Sequence, residues 1–109
     1  MMKKIHNSRH AIDLLIAGET FEYTEPGNSM TPLIQSNEPV TIEPVTDLKT
    51  LKKGDIVLCK VHGRCFTHKI NAIDKSQLRF QIANNHGHVN GWASTIYGKV
   101  IAISGIPRK

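Results

Sequence analysis

Apolar and polar positions alternate with a period of two along most of this chain, and with a helical period only near its start. Residues 8–17 place Ala11, Ile12, Leu15 and Ile16 on one helical face. Asn7 or Ser8 is positioned to cap that helix and Gly18 to end it. After Gly18 the period changes. Residues 20–24 set Phe21 and Tyr23 against Glu22 and Thr24, and residues 40–45 set Val40 and Ile42 against Thr41 and Glu43. Residues 56–61 and 64–73 form two arms around His62-Gly63, which predicts a hairpin. Residues 78–83 and 96–103 read as two more strands, and residues 84–92 as a polar loop. Met30 to Gln35 is expected to wind into one or two helical turns, followed by a turn at Ser36-Asn37-Glu38-Pro39. Six or seven short strands therefore predict a mainly β fold, a compact antiparallel β-domain with a short N-terminal helix.

At 109 residues the chain is long enough for one modest core. Residues 1–19 read as a helical extension ahead of a domain spanning 20–109, with no linker, repeat or low-complexity segment. Fourteen Lys and Arg against nine Asp and Glu give a net charge of +5. The basic residues are scattered, adjacent only at Lys3-Lys4 and Lys52-Lys53, which describes a solvated surface better than a nucleic-acid track. No apolar run approaches the roughly 20 residues that span a bilayer, and Asp13 interrupts the stretch from Ala11 to Ala17. A soluble protein without a membrane anchor is expected. In a hairpin turning at His62-Gly63, Cys59 and Cys65 point to opposite faces, so no bridge is expected. Two free thiols suit the cytoplasm.

The candidate chemistry centres on Gly27-Asn28-Ser29-Met30-Thr31-Pro32. Glycine permits the sharp turn that exposes a following serine, Met30 can anchor it, and Pro32 stiffens the exit. Such a serine offers a hydroxyl nucleophile and an amide N–H for an oxyanion, two requirements of acyl transfer. A plain Gly-Asn turn is the other reading. In Phe66-Thr67-His68-Lys69-Ile70, alternation places His68 with Phe66 and Ile70 on the apolar face, and Lys69 with Thr67 on the other. A half-buried neutral imidazole is a suitable general base, and a core histidine satisfied by a carbonyl is the alternative.

Gly27 to Pro32 resembles the G-x-S-M-x-P nucleophile box of the superfamily that holds LexA-like repressor peptidases and type I signal peptidases. Further boxes follow in the same order. Leu51-Lys52-Lys53-Gly54-Asp55-Ile56-Val57 is similar to L-x-x-G-D-I-V, where Gly54-Asp55 reads as turn architecture and not chemistry. The Thr67-to-Ile70 segment falls where the family carries its base, usually lysine. His68 takes that place, as in the histidine variants of endoplasmic-reticulum-type signal peptidases. Gly98-Lys99-Val100 matches the end of D-S-R-x-x-G-x-V, but the acid has become Ala93 and the arginine Thr95, while Ser94 is retained. Asn37-Glu38 stands where the family usually has Gly-Asp.

The resemblance implies a serine peptidase domain with Ser29 as nucleophile and His68 as base. Gly27, Asn28 and Ser29 would form the oxyanion turn. With Ala93 unable to orient His68, the supporting candidates are Asn84, Asn85, Ser94 or a backbone carbonyl, with Met30 as anchor. His86-x-His88 could present two metal ligands, but no acidic or cysteine partner is near in sequence, so neither metal nor cofactor is expected. The implied role is limited proteolysis, of itself or of one partner, in bacterial or phage regulation. Ala17-Gly18 is the kind of bond LexA-like proteins cut in themselves, though it also reads as a helix end. The expected partner is a protein or peptide substrate, with a second copy of the chain as a further partner. The rival is an inactive peptidase fold used to bind protein or, less favoured by the scattered charge, nucleic acid.

Overall fold

The computed structural model describes residues 2–108. Its strands form one antiparallel-dominated sheet beside one short helix, the mainly β architecture that the alternation predicts. Lys4–Ile5 (β1) runs parallel to Phe21–Tyr23 (β2) at one edge. Val40–Pro44 (β3) follows in space, then Thr95–Ile103 (β8). Beyond β8 come Ile56–Val61 (β4), Arg64–Asp74 (β5), Arg79–Ala83 (β6) and Val89–Ala93 (β7). Ile106–Pro107 (β9) turns back onto β8. The nine strands among the described residues exceed the expected six or seven because β1 and β9 are only two residues long and β7 lies in what reads as a polar loop.

Helix α1 covers Ser8–Ile16, and the side chain of Asn7 accepts the His10 N–H as its cap. Its buried face is Ala11, Leu14 and Leu15, the i, i+3, i+4 set. The predicted stripe is therefore corrected: Ile16 is 73% exposed and Leu14 takes its place. The helix is turned by what it packs against, β8 with β1 and β3, and its buried face shares a core with Ile5, Ile42 and Val100. Gly98 on β8 permits this seating, since a Cβ there would lie 2.6 Å from Ile42 Cγ2 and 2.8 Å from Leu15 Cδ1.

Two apolar cores flank the sheet. Ile56 and Leu58 of β4 join the core under α1, whereas Val57, Cys59 and Val61 join the second, with Phe80, Ile82 and Ala93. Full burial of side chains of this size contributes about 1.5–3 kcal/mol each. The β4–β5 hairpin turns at His62 and Gly63, both with positive φ, and its register pairs Lys60 with Cys65. Cys59 and Cys65 are free, and burial pushes the Cys59 thiol up to about 12.

Two turns prepare the site. The Gly54-Asp55 box is architectural, as its sequence suggests. Asp55 is 6% exposed, accepts the Lys52 N–H at 3.0 Å, and lies 3.7 Å from both Lys52 Nζ and Lys99 Nζ. The predicted helical turns at residues 30–35 reduce to a single turn closed by the Ile34 N–H on the Met30 carbonyl at 3.0 Å. Pro32 supplies no N–H there and biases Thr31 away from helical angles.

Candidate active site

The nucleophile turn and β5 meet at the mouth of a cleft of about 330 Å³. Gly27, at φ +112, gives the chain its bend, and its N–H is held by Ser36 Oγ at 3.0 Å. Met30 is 4% exposed and plugs into the core under α1, while Ser29 beside it stays on the surface. The anchor and the exposed hydroxyl thus fall on adjacent residues. Among the described residues, the N–H groups of Asn28, Ser29 and Met30 make no hydrogen bond, which leaves donors free for a carbonyl oxygen at this turn.

His68 lies across from Ser29, with 3.0 Å between its Nε2 and Ser29 Oγ. The residue is 7% exposed, and its ring stacks on Phe66 with centroids 4.9 Å apart. Burial, the largest influence, holds its pKa below the ordinary histidine value; His88 adds to that, and Asn90 and Glu25 oppose it. At neutral pH the imidazole is neutral and able to accept a proton. Lys69, the neighbouring basic residue, points elsewhere, its Nζ donating to Asn85 Oδ1 at 3.4 Å.

The other imidazole nitrogen, Nδ1, is 2.7 Å from Asn90 Oδ1. A carboxamide oxygen only accepts, so Nδ1 carries the ring proton and Nε2 presents its lone pair to the Ser29 hydroxyl. Asn90 is absent from the residues the sequence suggests as supports. It sits in a β-bulge: Ile82 pairs with Gly91 and Ala83 with Val89, which leaves Asn90 as the extra residue of β7. A bulge re-aims one side chain. Period-two alternation carries no signal of it.

Among the described residues, Asn84, Asn85 and Ser94 make no hydrogen bond to His68, whose ring nitrogens face Asn90 and Ser29. Ser94 is exposed at the bend between β7 and β8. Asn84 Oδ1 accepts from the N–H groups of His86 and His88 and shapes the loop after β6. Asn85 acts on the nucleophile turn instead, its N–H donating to the Ser29 carbonyl at 2.8 Å and its Nδ2 to the Thr31 carbonyl at 3.1 Å. His86 Nε2 lies 2.9 Å from the Asn28 carbonyl and 3.0 Å from Thr31 Oγ1. The β6–β7 hairpin therefore grips both halves of the site, Ser29 through its loop and His68 through Asn90.

The cleft wall beyond Ser29 combines Tyr23, Met30, Val40 and Phe66 with the charged Glu25 and Arg64. No helix among the described residues is long and apolar enough to cross a membrane. The family model described as Peptidase S24-like matches residues 5–101 of the chain. A comparison with curated proteins finds no match.

Proposed function

The chain belongs to the Peptidase S24-like family, and from that premise we propose that it is a serine endopeptidase working through a Ser29–His68 dyad. The observation that carries this reading is the 3.0 Å approach of Ser29 Oγ to His68 Nε2, with the other ring nitrogen already occupied as a donor. A nucleophile and base at hydrogen-bond distance, in the right tautomer, are what acylation needs.

In the proposed reaction the substrate carbonyl lies over the Ser29 turn with its oxygen against the free N–H groups. As Oγ bonds to the carbonyl carbon, its proton passes to Nε2 and the carbonyl electron pair moves to oxygen. Collapse of this tetrahedral species breaks the C–N bond, and His68 gives its proton to the departing amine. Water then attacks the Ser29 ester, losing a proton to Nε2, and the acid leaves as Oγ recovers that proton.

Limited proteolysis of a polypeptide partner, in bacterial or phage regulation, is the role that the likeness to LexA-like peptidases brings to this proposal. Self-cleavage at Ala17-Gly18 is a costlier route. The Ala17 and Gly18 N–H groups close the end of α1 on the carbonyls of Asp13 and Leu15, each at 3.0 Å, so the helix end must unwind first. The test is labelling with a fluorophosphonate probe. Wild type should form a covalent adduct at Ser29 and Ser29→Ala none. A folded wild type that stays unlabelled from pH 6 to about 9, a span that brackets neutral imidazole, would reassign the fold to partner binding.

A further inference from the structure

We infer that Asn90 is the positioning residue of this site, selecting the imidazole tautomer of His68 and limiting its strength as a base because it carries no charge. The inference rests on the Ser29–His68 reading above. Three observations carry it.

Asn90 Oδ1 lies 2.7 Å from His68 Nδ1, on the side of the ring opposite Ser29. The backbone is built to bring it there, since Asn90 is the unpaired residue of the β7 bulge and Gly91 follows at φ +139. A side chain on Gly91 would meet Val61 Cγ1 and His62 Nε2 at 3.0 Å, so β7 folds closely over the end of β4 and the turn that follows it. Finally, Ala93 stands where the resemblance puts an acid. The group that reaches Nδ1 is the uncharged carboxamide of Asn90.

The chemistry of a carboxamide gives the consequence. Its oxygen accepts and its nitrogen donates, so one orientation of Asn90 makes Nε2 a base, whereas the flipped orientation would put the ring proton on Nε2 and silence it. A carboxylate has no silencing orientation. It also stabilises the imidazolium that forms as Ser29 gives up its proton, which a neutral amide does weakly. The charged or titratable groups that bear on His68 are Glu25 from the cleft and His88 from the β6–β7 loop, with opposite signs. Neither touches Nδ1. Asn90 does.

Two variants and two readouts test this. Nitrogen chemical shifts of His68 report its tautomer whether or not the protein is a catalyst, and the fluorophosphonate labelling rate against pH reports the base. Wild type should hold the Nδ1–H tautomer, and Asn90→Ala should mix the two forms. Labelling should then fall about tenfold, part of the roughly 10²–10⁴-fold that a positioned base supplies. Its acidic limb should move to lower pH. Asn90→Asp should do the reverse, moving the limb to higher pH and raising the plateau rate several-fold. A purely structural residue would not move the limb in opposite directions. Unchanged tautomer and limb in both folded variants would overturn the role of Asn90. If wild type does not label but its tautomer is Nδ1–H and is lost in Asn90→Ala, the positioning role stands and the peptidase reading fails.

Discussion

The N–H of Asn85 donates to the carbonyl of Ser29 at 2.8 Å, so the peptide that carries the nucleophile is held by a loop 56 residues further along the chain. Asn85 Nδ2 and His86 Nε2 add contacts to Thr31 and Asn28 on the same turn. Asn85→Ala and His86→Ala remove the side-chain part of this grip. Each net hydrogen bond is worth about 1 kcal/mol, so each variant should slow Ser29 labelling roughly fivefold through a less ordered oxyanion turn. The pH dependence should stay that of wild type, since His68 is untouched.

The choice of base is testable on adjacent residues. His68→Ala should lower labelling of Ser29 by about a hundredfold or more. Lys69→Ala should cost only what its 3.4 Å contact to Asn85 contributes. Its rate should stay within about threefold of wild type, as expected for a partly exposed hydrogen bond. Loss of reaction in Lys69→Ala with retention in His68→Ala would reverse the assignment.

Burial lowers the pKa of His68 in the folded chain. In the window below the unfolded value of about 6.5, the unfolded chain therefore binds more protons, and stability must rise with pH there. The contribution is complete above that value and is lost as pH falls through the folded pKa. Denaturant midpoints should accordingly drop on acidification from about pH 6.5, and His68→Gln should flatten that drop.

Part of this arrangement was legible in the sequence: alternation sets His68 on one face with Phe66 and Ile70, and the likeness of residues 27–32 and 67–70 to the boxes of LexA-like peptidases singled out Ser29 and His68, whose side chains lie 3.0 Å apart. Asn90 was not, because a bulge inserts a residue without altering composition or period. β7 itself was hidden for a related reason: Val89, Asn90, Gly91 and Trp92 are partly or fully exposed, so only Ala93 carries a core signal. The helix was legible but its rotation was not, since Leu14 and Ile16 are equally apolar and only the sheet below decides between them.

Among the described residues, one buried side-chain polar atom lacks a partner. Thr67 Oγ1, on the wall of the cleft, is inaccessible and has no hydrogen bond among the described residues. Valine has the same branched shape without the hydroxyl. Thr67→Val should therefore be neutral to stabilising, by up to about 1 kcal/mol, because an unpaired buried polar group costs free energy that the folded chain need not bear. A chemical denaturation curve at neutral pH measures this, and a clear loss would mean that the hydroxyl has a partner.

The two cores lie on opposite faces of β4, which gives Ile56 and Leu58 to one and Val57, Cys59 and Val61 to the other. A strand cannot leave one side of a sheet without leaving both. Loss of either core must take the shared strand with it, which makes the chain a single cooperative unit despite its divided interior. Trp92 reports from β7 near the second core and the dichroism of α1 from the first, so on heating the two signals should trace one melting curve.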